Sequence, residues 1–145
     1  MSILFYNTHE QPYGCFSNFS AHGFYLDGFW WPTSEHYFQA QKFVGTIYVE
    51  RIRQASSPHV AARFGRKRNF PLRLDWEQVK DEIMLKAVLC KFEAHDHIRA
   101  ILLSTGDETL IEDTSDDYYW GRGTDGSGRN MLGKILMQVR QILSE

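Results

Sequence analysis

Hydrophobic and polar positions repeat with two different periods along this chain, and the period predicts each element. Met131, Leu132, Ile135, Leu136, Val139, Ile142 and Leu143 make one continuous apolar stripe at spacings of three and four, the pattern of a C-terminal amphipathic helix. Trp76, Val79, Ile83, Ala87 and Cys90 share that spacing and predict a long helix from about Trp76, with Asp75 as its N-cap. Its second half is apolar nearly all round, which predicts the central buried helix. Shorter helices are predicted over about 35–44, capped by Thr33 or Ser34 and ending near Gly45, and over 48–54, 58–64 and 97–104, the last stopped by Gly106. Residues 3–6 and 109–112 read as short strands. Phe24–Leu26 and Phe29–Trp31 flank Asp27-Gly28, a two-residue hairpin signal.

These elements add up to an α+β architecture, mostly helical, with a small antiparallel sheet built from the N-terminal third. A chain of 145 residues without repeat, linker or low-complexity tract is expected to form one compact domain over residues 1–145. Its hydrophobic share of 43% supports a core without disulfide or metal. Cys15 and Cys90 form no CxxC pattern and suit a reducing compartment. The N-terminus lacks the charge and apolar run of a signal peptide, and no stretch approaches the roughly 20 apolar residues of a membrane span. A soluble, cytoplasmic protein with no membrane partner is expected. The net charge of -2 argues against bulk electrostatic binding of nucleic acid, though it allows a local basic patch.

Composition changes the picture at one point. Aromatics reach 14%, and many stand beside polar or glycine residues, as in Phe16-Ser17-Asn18-Phe19 and Tyr118-Tyr119-Trp120-Gly121. Such mixing serves either loop packing or a site for a flat heterocyclic base. On the helix predicted from Glu35, the residues Glu35, Gln39 and Lys42 lie within about 60° of one another. That face is either solvated or one wall of a pocket, and both charged side chains are long enough to converge on one ligand across an axial separation of about 10 Å.

Gly121, Gly123 and Gly126 match GxGxxG, but no acidic residue follows at the spacing a dinucleotide fold needs, so that reading is rejected. Two readings of the segment remain: a surface turn, or a phosphate site at the helix start near Asn130, with Arg122 and Arg129 adding charge. The basic run Arg66-Lys67-Arg68, with Arg73 nearby, is either solvated or holds a phosphate. His95-Asp96-His97 lacks further ligands at metal spacing, so no metal is expected. HExxH and GxSxG are both absent.

The segments Gly14-Cys15-Phe16-Ser17-Asn18-Phe19, Trp31-Pro32-Thr33-Ser34-Glu35-His36-Tyr37-Phe38-Gln39-Ala40-Gln41-Lys42-Phe43, Ser57-Pro58 to Gly65-Arg66, Trp76 to Met84, Lys91-Phe92, and Asp117-x-x-Trp120-Gly121 through Asn130-x-Leu132-Gly133 to Leu136-Met137 run in order over nearly the whole chain. Together they resemble the NADAR family, the YbiA-like N-glycosidases. The resemblance implies hydrolysis of a ribose C1–N bond without a cofactor. One branch of the family acts on phosphoribosylamino-pyrimidine intermediates of riboflavin biosynthesis, and another removes ADP-ribose from guanine in nucleic acid. The match around Glu35 to Phe43 resembles the first branch. Partners implied are a phosphorylated N-riboside or an ADP-ribosylated base, with nucleic acid only as the carrier of the latter. Carried onto this chain, the resemblance makes Glu35, Lys42 and Asp117 catalytic. Ser17, Asn18, Phe19, Trp76, Trp120, Gly121 and Asn130 would bind substrate, and the basic run adds Arg66 as the holder of its phosphate.

Because such substrates are glycosylamines, Lys42 suits attack at C1 through a Schiff base, with Glu35 shuttling protons. Direct attack by water, with Glu35 or Asp117 as base, is the competing route. Two rivals of other classes stand beside these: a non-catalytic ADP-ribose or nucleotide binding module, and a nucleic-acid binder built on the basic run.

Overall fold

The computed structural model describes residues 1–145. In chain order its elements are strand β1 (Ser2–Phe5), a 3-10 turn (Tyr13–Phe16), β2 (Phe24–Leu26), β3 (Phe29–Trp31), helices α1 (Ser34–Gln41), α2 (Tyr48–Arg53), α3 (Pro58–Gly65), α4 (Trp76–Ala94) and α5 (Asp96–Ser104), strand β4 (Thr109–Glu112), and helix α6 (Met131–Leu143). No helix is long and apolar enough to cross a membrane. The mostly helical α+β architecture is the one expected, and the hairpin at Asp27-Gly28 forms with Phe24 opposite Trp31.

The sheet departs from expectation at β1. This strand does not join the hairpin but pairs in parallel with β4, from Ser2 opposite Thr109 to Phe5 opposite Glu112. A period-two pattern specifies which face of a strand is buried, not which distant strand will lie beside it. Two helix ends also differ. Asp75 makes no side-chain cap bond; its carboxylate is drawn off by the Arg73 guanidinium, with Nε–Oδ1 at 2.6 Å and Nη2–Oδ2 at 3.0 Å. Helix α1 stops at Gln41, so Lys42 is its C-cap rather than an interior residue.

The most deeply buried helix is α1, not α4. Every residue from Ser34 to Ala40 is buried, whereas α4 keeps Glu77, Gln78, Glu82, Lys86 and Glu93 exposed. The placement of α1 between two hydrophobic clusters explains this. Phe38 belongs to the larger cluster, with Phe16, Trp76, Met84, Phe92 and the α6 stripe. Tyr37 and Ala40 belong to the smaller, with Phe24, Trp31, Phe43 and Ile52. Thr33 caps the helix, its hydroxyl accepting from the His36 N–H at 3.1 Å.

Strand β4 is clipped to the start of α6 by one residue. Asn130 stands in the left-handed region at φ 51. Its Oδ1 accepts from the Glu112 N–H, and its Nδ2 donates to the Leu110 carbonyl, each at 2.9 Å. Gly133, one turn on, leaves the room: a Cβ there would lie 2.1 Å from the Leu110 oxygen and 2.4 Å from Asn130 Nδ2. Gly133→Ala is therefore expected to cost about 1–3 kcal/mol through overpacking against backbone. The exposed neighbour Gln138, changed to Ala, should stay within about 0.5 kcal/mol of wild type. Urea unfolding midpoints at constant slope check both.

Candidate functional site

A cavity of about 750 Å³ opens between α1, α3, the loop after β1, the loop before the hairpin and the segment after β4. Its floor is the polar face of α1. Glu35 is only 8% exposed there. Gln39 Nε2 donates to Glu35 Oε2 at 2.7 Å, one turn along the helix. Burial raises the Glu35 pKa above the usual carboxylate range and Asp117 adds to the rise, while the Gln39 bond, Lys42 and Arg66 oppose it. At the end of the same face, burial depresses the Lys42 ammonium. Glu35 opposes that shift, and Arg66 and Lys80 add to it. Lys42 Nζ donates to the Gly65 carbonyl at 3.2 Å. It stands 5.9 Å from the Phe38 ring and 5.8 Å from that of Trp76.

Gly65 lets α3 close on this face. A Cβ there would fall 1.9 Å from Gln39 Oε1. The close approach leaves that oxygen buried without a hydrogen-bond partner. Such an unsatisfied group is a local strain.

The opposite rim is braced from behind. Asn18 spends its side chain on structure: Oδ1 accepts from Ser34 Oγ at 2.8 Å, and its carbonyl accepts from the Glu35 N–H at 3.2 Å. Ser17 is held through its carbonyl by Lys91 Nζ at 2.9 Å. Lys91 is 1% exposed, and burial lowers its pKa to about 7. Phe19 meets His59 edge-on at 4.7 Å. The Asp117 carboxylate accepts from the backbone N–H of Tyr119 at 3.0 Å and of Trp120 at 2.8 Å, a tight turn that presents Trp120 against Phe38 at 5.2 Å. A second depression, of about 420 Å³, adjoins the cavity at Lys42 and Arg66 and is lined also by Gly65, Lys67, Arg68 and Trp76.

A family model described as the NADAR domain matches residues 4–144. The chain belongs to the NADAR family. It is 54% identical over 142 residues to a protein of Escherichia coli (strain K12) named N-glycosidase YbiA, covering 98% of this chain and 88% of that one. It is 44% identical over 153 residues to a Zea mays protein named Riboflavin biosynthesis protein PYRR, chloroplastic, covering 95% of this chain but 24% of that one. The solved solution structure of E. coli YbiA superimposes with a TM-score of 0.91 at 53% identity, over 99% of this chain and 85% of that one.

Within this NADAR domain, Ser17, Asn18, Phe19, Glu35, Lys42, Arg66, Asp117 and Trp120 all line the cavity. Trp76 lines the adjoining depression instead and packs on Phe38 at 5.0 Å. Gly121 and Asn130 do not reach the cavity. Asn130 is consumed by the β4 clip, and Gly121 is buried against Glu112 and Thr114. Arg122 pairs with Asp113 at 2.8 Å, and Arg129 lies over Tyr119 at 5.0 Å, so neither stands at the cavity. The cavity also holds groups that sequence reasoning passed over: Gln39 as a functional partner, His59, Thr114 and above all Glu112, whose pKa is pushed up to about 7 by burial. A signal for Glu112 existed. It follows the buried Leu110 by two positions in a strand, and alternation puts both on one face.

A buried carboxylate with a raised pKa binds its proton more tightly folded than unfolded. Its contribution to stability is full below the unfolded value of about 4.3 and is lost as pH rises through the folded one. Glu35→Gln removes that loss. Relative to wild type, the variant should therefore gain stability from pH 4 to pH 8, as read from chemical denaturation at both.

Proposed function

We propose that this NADAR domain hydrolyses the ribose C1–N bond of phosphoribosylamino-pyrimidine intermediates of riboflavin biosynthesis, with Lys42 as nucleophile and Glu35 as proton shuttle. The coarser assignment, a hydrolase acting on N-glycosyl bonds, rests on the family and on relatives named N-glycosidase at more than half identity over nearly the whole chain. The observation that carries the finer reading is the desolvated pair at the cavity floor. Burial pushes the Glu35 carboxyl up and the Lys42 ammonium down, so each ionised form is less favoured there than in water. A neutral lysine is a nucleophile, and a carboxyl with a pKa moved toward neutrality exchanges protons efficiently. A non-catalytic binding module has no use for either shift.

The glycosylamine ring opens to an imine at C1. The Lys42 amine adds to C1, the base nitrogen takes up a proton and departs, and water then hydrolyses the lysine Schiff base to release the sugar phosphate. Glu35 moves protons at the ring oxygen and at Lys42 Nζ. Trp120 and Phe19 offer flat faces to the base. Arg66, on the rim shared with the second depression, suits the phosphate as a bidentate donor. That depression also favours a second substrate, ADP-ribose on guanine, because its Lys67 and Arg68 offer charge for a further phosphate. Release of free base from each substrate in parallel incubations decides between them.

Borohydride added during turnover should trap sugar on the protein at Lys42, as read by peptide mass. Lys42→Arg should abolish the adduct and lower kcat by several decades, since guanidinium stays protonated at any working pH. Near wild-type turnover in that variant, with no adduct, would leave direct attack by water. Arg66→Ala should weaken a phosphorylated riboside roughly tenfold or more while an unphosphorylated one barely changes. Equal losses in KM for both would make Arg66 structural.

A further inference from the structure

Strand β4 delivers a carboxylate to the cavity that the scheme above does not use. Glu112 is the last residue of β4 and lines the cavity with Glu35 of α1 and Asp117 of the following loop. Its backbone is fixed on both sides: the N–H donates to Asn130 Oδ1 at 2.9 Å, and the carbonyl accepts from the Arg122 N–H at 3.0 Å. Its side chain is crowded on one side. Gly121 packs so closely that a Cβ there would lie 2.9 Å from Glu112 Oε2.

The fold spends a cation next door but not here. Arg122 pairs with Asp113, and Glu112 belongs to no ion pair. The groups facing it are acidic or neutral: Glu35 across the cavity, Asp116 and Asp117 on the adjoining loop, and Thr114, which offers a hydrogen bond. The cations of the cavity, Lys42 and Arg66, stand with α1 and α3. A carboxylate kept for structure would be matched to a cation or to backbone donors; this one stands half-buried on the cavity wall with no cation paired to it.

We propose that Glu112 is the acid that protonates the departing base nitrogen, a role that rests on the N-glycosidase reading. After Lys42 has added to C1, the C1–N bond to the base breaks and its electron pair stays on the base nitrogen. That nitrogen takes the proton from Glu112 and leaves as a neutral amine, while the Lys42 nitrogen lone pair forms the Schiff base. Glu112, now a carboxylate, takes a proton from water as the water oxygen bonds to C1, and so regains its acid form. Glu35 remains with Lys42 Nζ and the ring oxygen. If water attacks directly, the same acid serves the same nitrogen. Burial first, then the neighbouring carboxylates, push the Glu112 pKa up to about 7 against the Thr114 hydrogen bond, so a share of the molecules carries the proton at neutral pH.

The test compares wild type, Glu112→Gln and Glu112→Asp on two ribosides: the aminopyrimidine riboside phosphate, and a riboside phosphate with an electron-poor aryl amine that departs without protonation. Glu112→Gln should lower kcat on the first about 10²-fold or more with KM little changed, and should remove the fall of kcat/KM above pH 7. On the activated riboside it should stay within a few fold of wild type. Glu112→Asp should keep part of the activity and the alkaline fall. Equal losses on both ribosides with an unchanged pH profile would overturn the assignment in favour of a structural role, as would full activity of Glu112→Gln on both. A wild type inert toward both ribosides sinks the hydrolase reading and this assignment with it. An active wild type with an indifferent Glu112→Gln sinks this assignment alone. Thermal melts at pH 8 guard against misfolding, and Glu112→Gln should there be at least as stable as wild type, because the buried carboxylate no longer has to ionise.

Discussion

Burying a helix rich in polar side chains is the constraint on which the rest of the molecule depends. Helix α1 carries Ser34, Glu35, His36 and Gln39 into buried positions, and a buried polar group costs roughly 1–3 kcal/mol if left unmatched. The surrounding segments supply the matches. Ser34 donates to Asn18, and Gln39 donates to Glu35. His36 donates from Nε2 to the Ala55 carbonyl at 3.0 Å, which leaves Nδ1 to accept from the Thr33 hydroxyl at 2.8 Å and fixes the neutral tautomer. Tyr37 reaches Asp27 in the hairpin turn at 2.7 Å. The hairpin, the 17–19 loop and α3 are thus held where α1 needs partners, and the cavity is what they leave open over Glu35 and Lys42.

That arrangement separates holding from acting. Lys91 and Asn130 bind backbone, Asn18 holds the Ser34 hydroxyl, and Gly65 and Gly133 make room for the Gln39 side chain and the Leu110 carbonyl. The groups on the cavity side, Glu35, Lys42 and Glu112, stand at pKa values displaced by burial, and the ionised forms are less stable there than in water. Gln39 stands between the two sets, with one amide nitrogen on Glu35 and its oxygen unmatched against Gly65. A fold optimised for stability alone would remove such strains; the proton transfers proposed for this site would draw on them.

Local pattern carried most of the elements. The α6 stripe, the Asp27-Gly28 hairpin and the Thr33 cap each follow from short-range rules, and each forms as those rules require. The face Glu35–Gln39–Lys42 was also legible, because 3.6 residues per turn puts these side chains together whatever surrounds the helix. Periodicity could not say whether that face meets water or a cavity, since a polar stripe is the same string of residues in both cases. Asn130 shows the converse. Its position at a glycine-rich helix start suggested a ligand contact, yet its side chain closes on Leu110 and Glu112, residues about twenty positions away.

Sequence by itself therefore determined the helices, the hairpin, the family and the composition of the α1 face, all set by neighbours within a few residues or by motifs read in order. Tertiary structure alone decided that β1 pairs in parallel with β4, that α1 rather than α4 is the most deeply buried helix, and that Glu112 meets Glu35 and Asp117 across one cavity. The physical reason is the same for each. Pairing, enclosure and desolvation depend on which distant segments fill the space around a residue, and that follows from packing the whole chain around its two clusters, not from any local stretch of it.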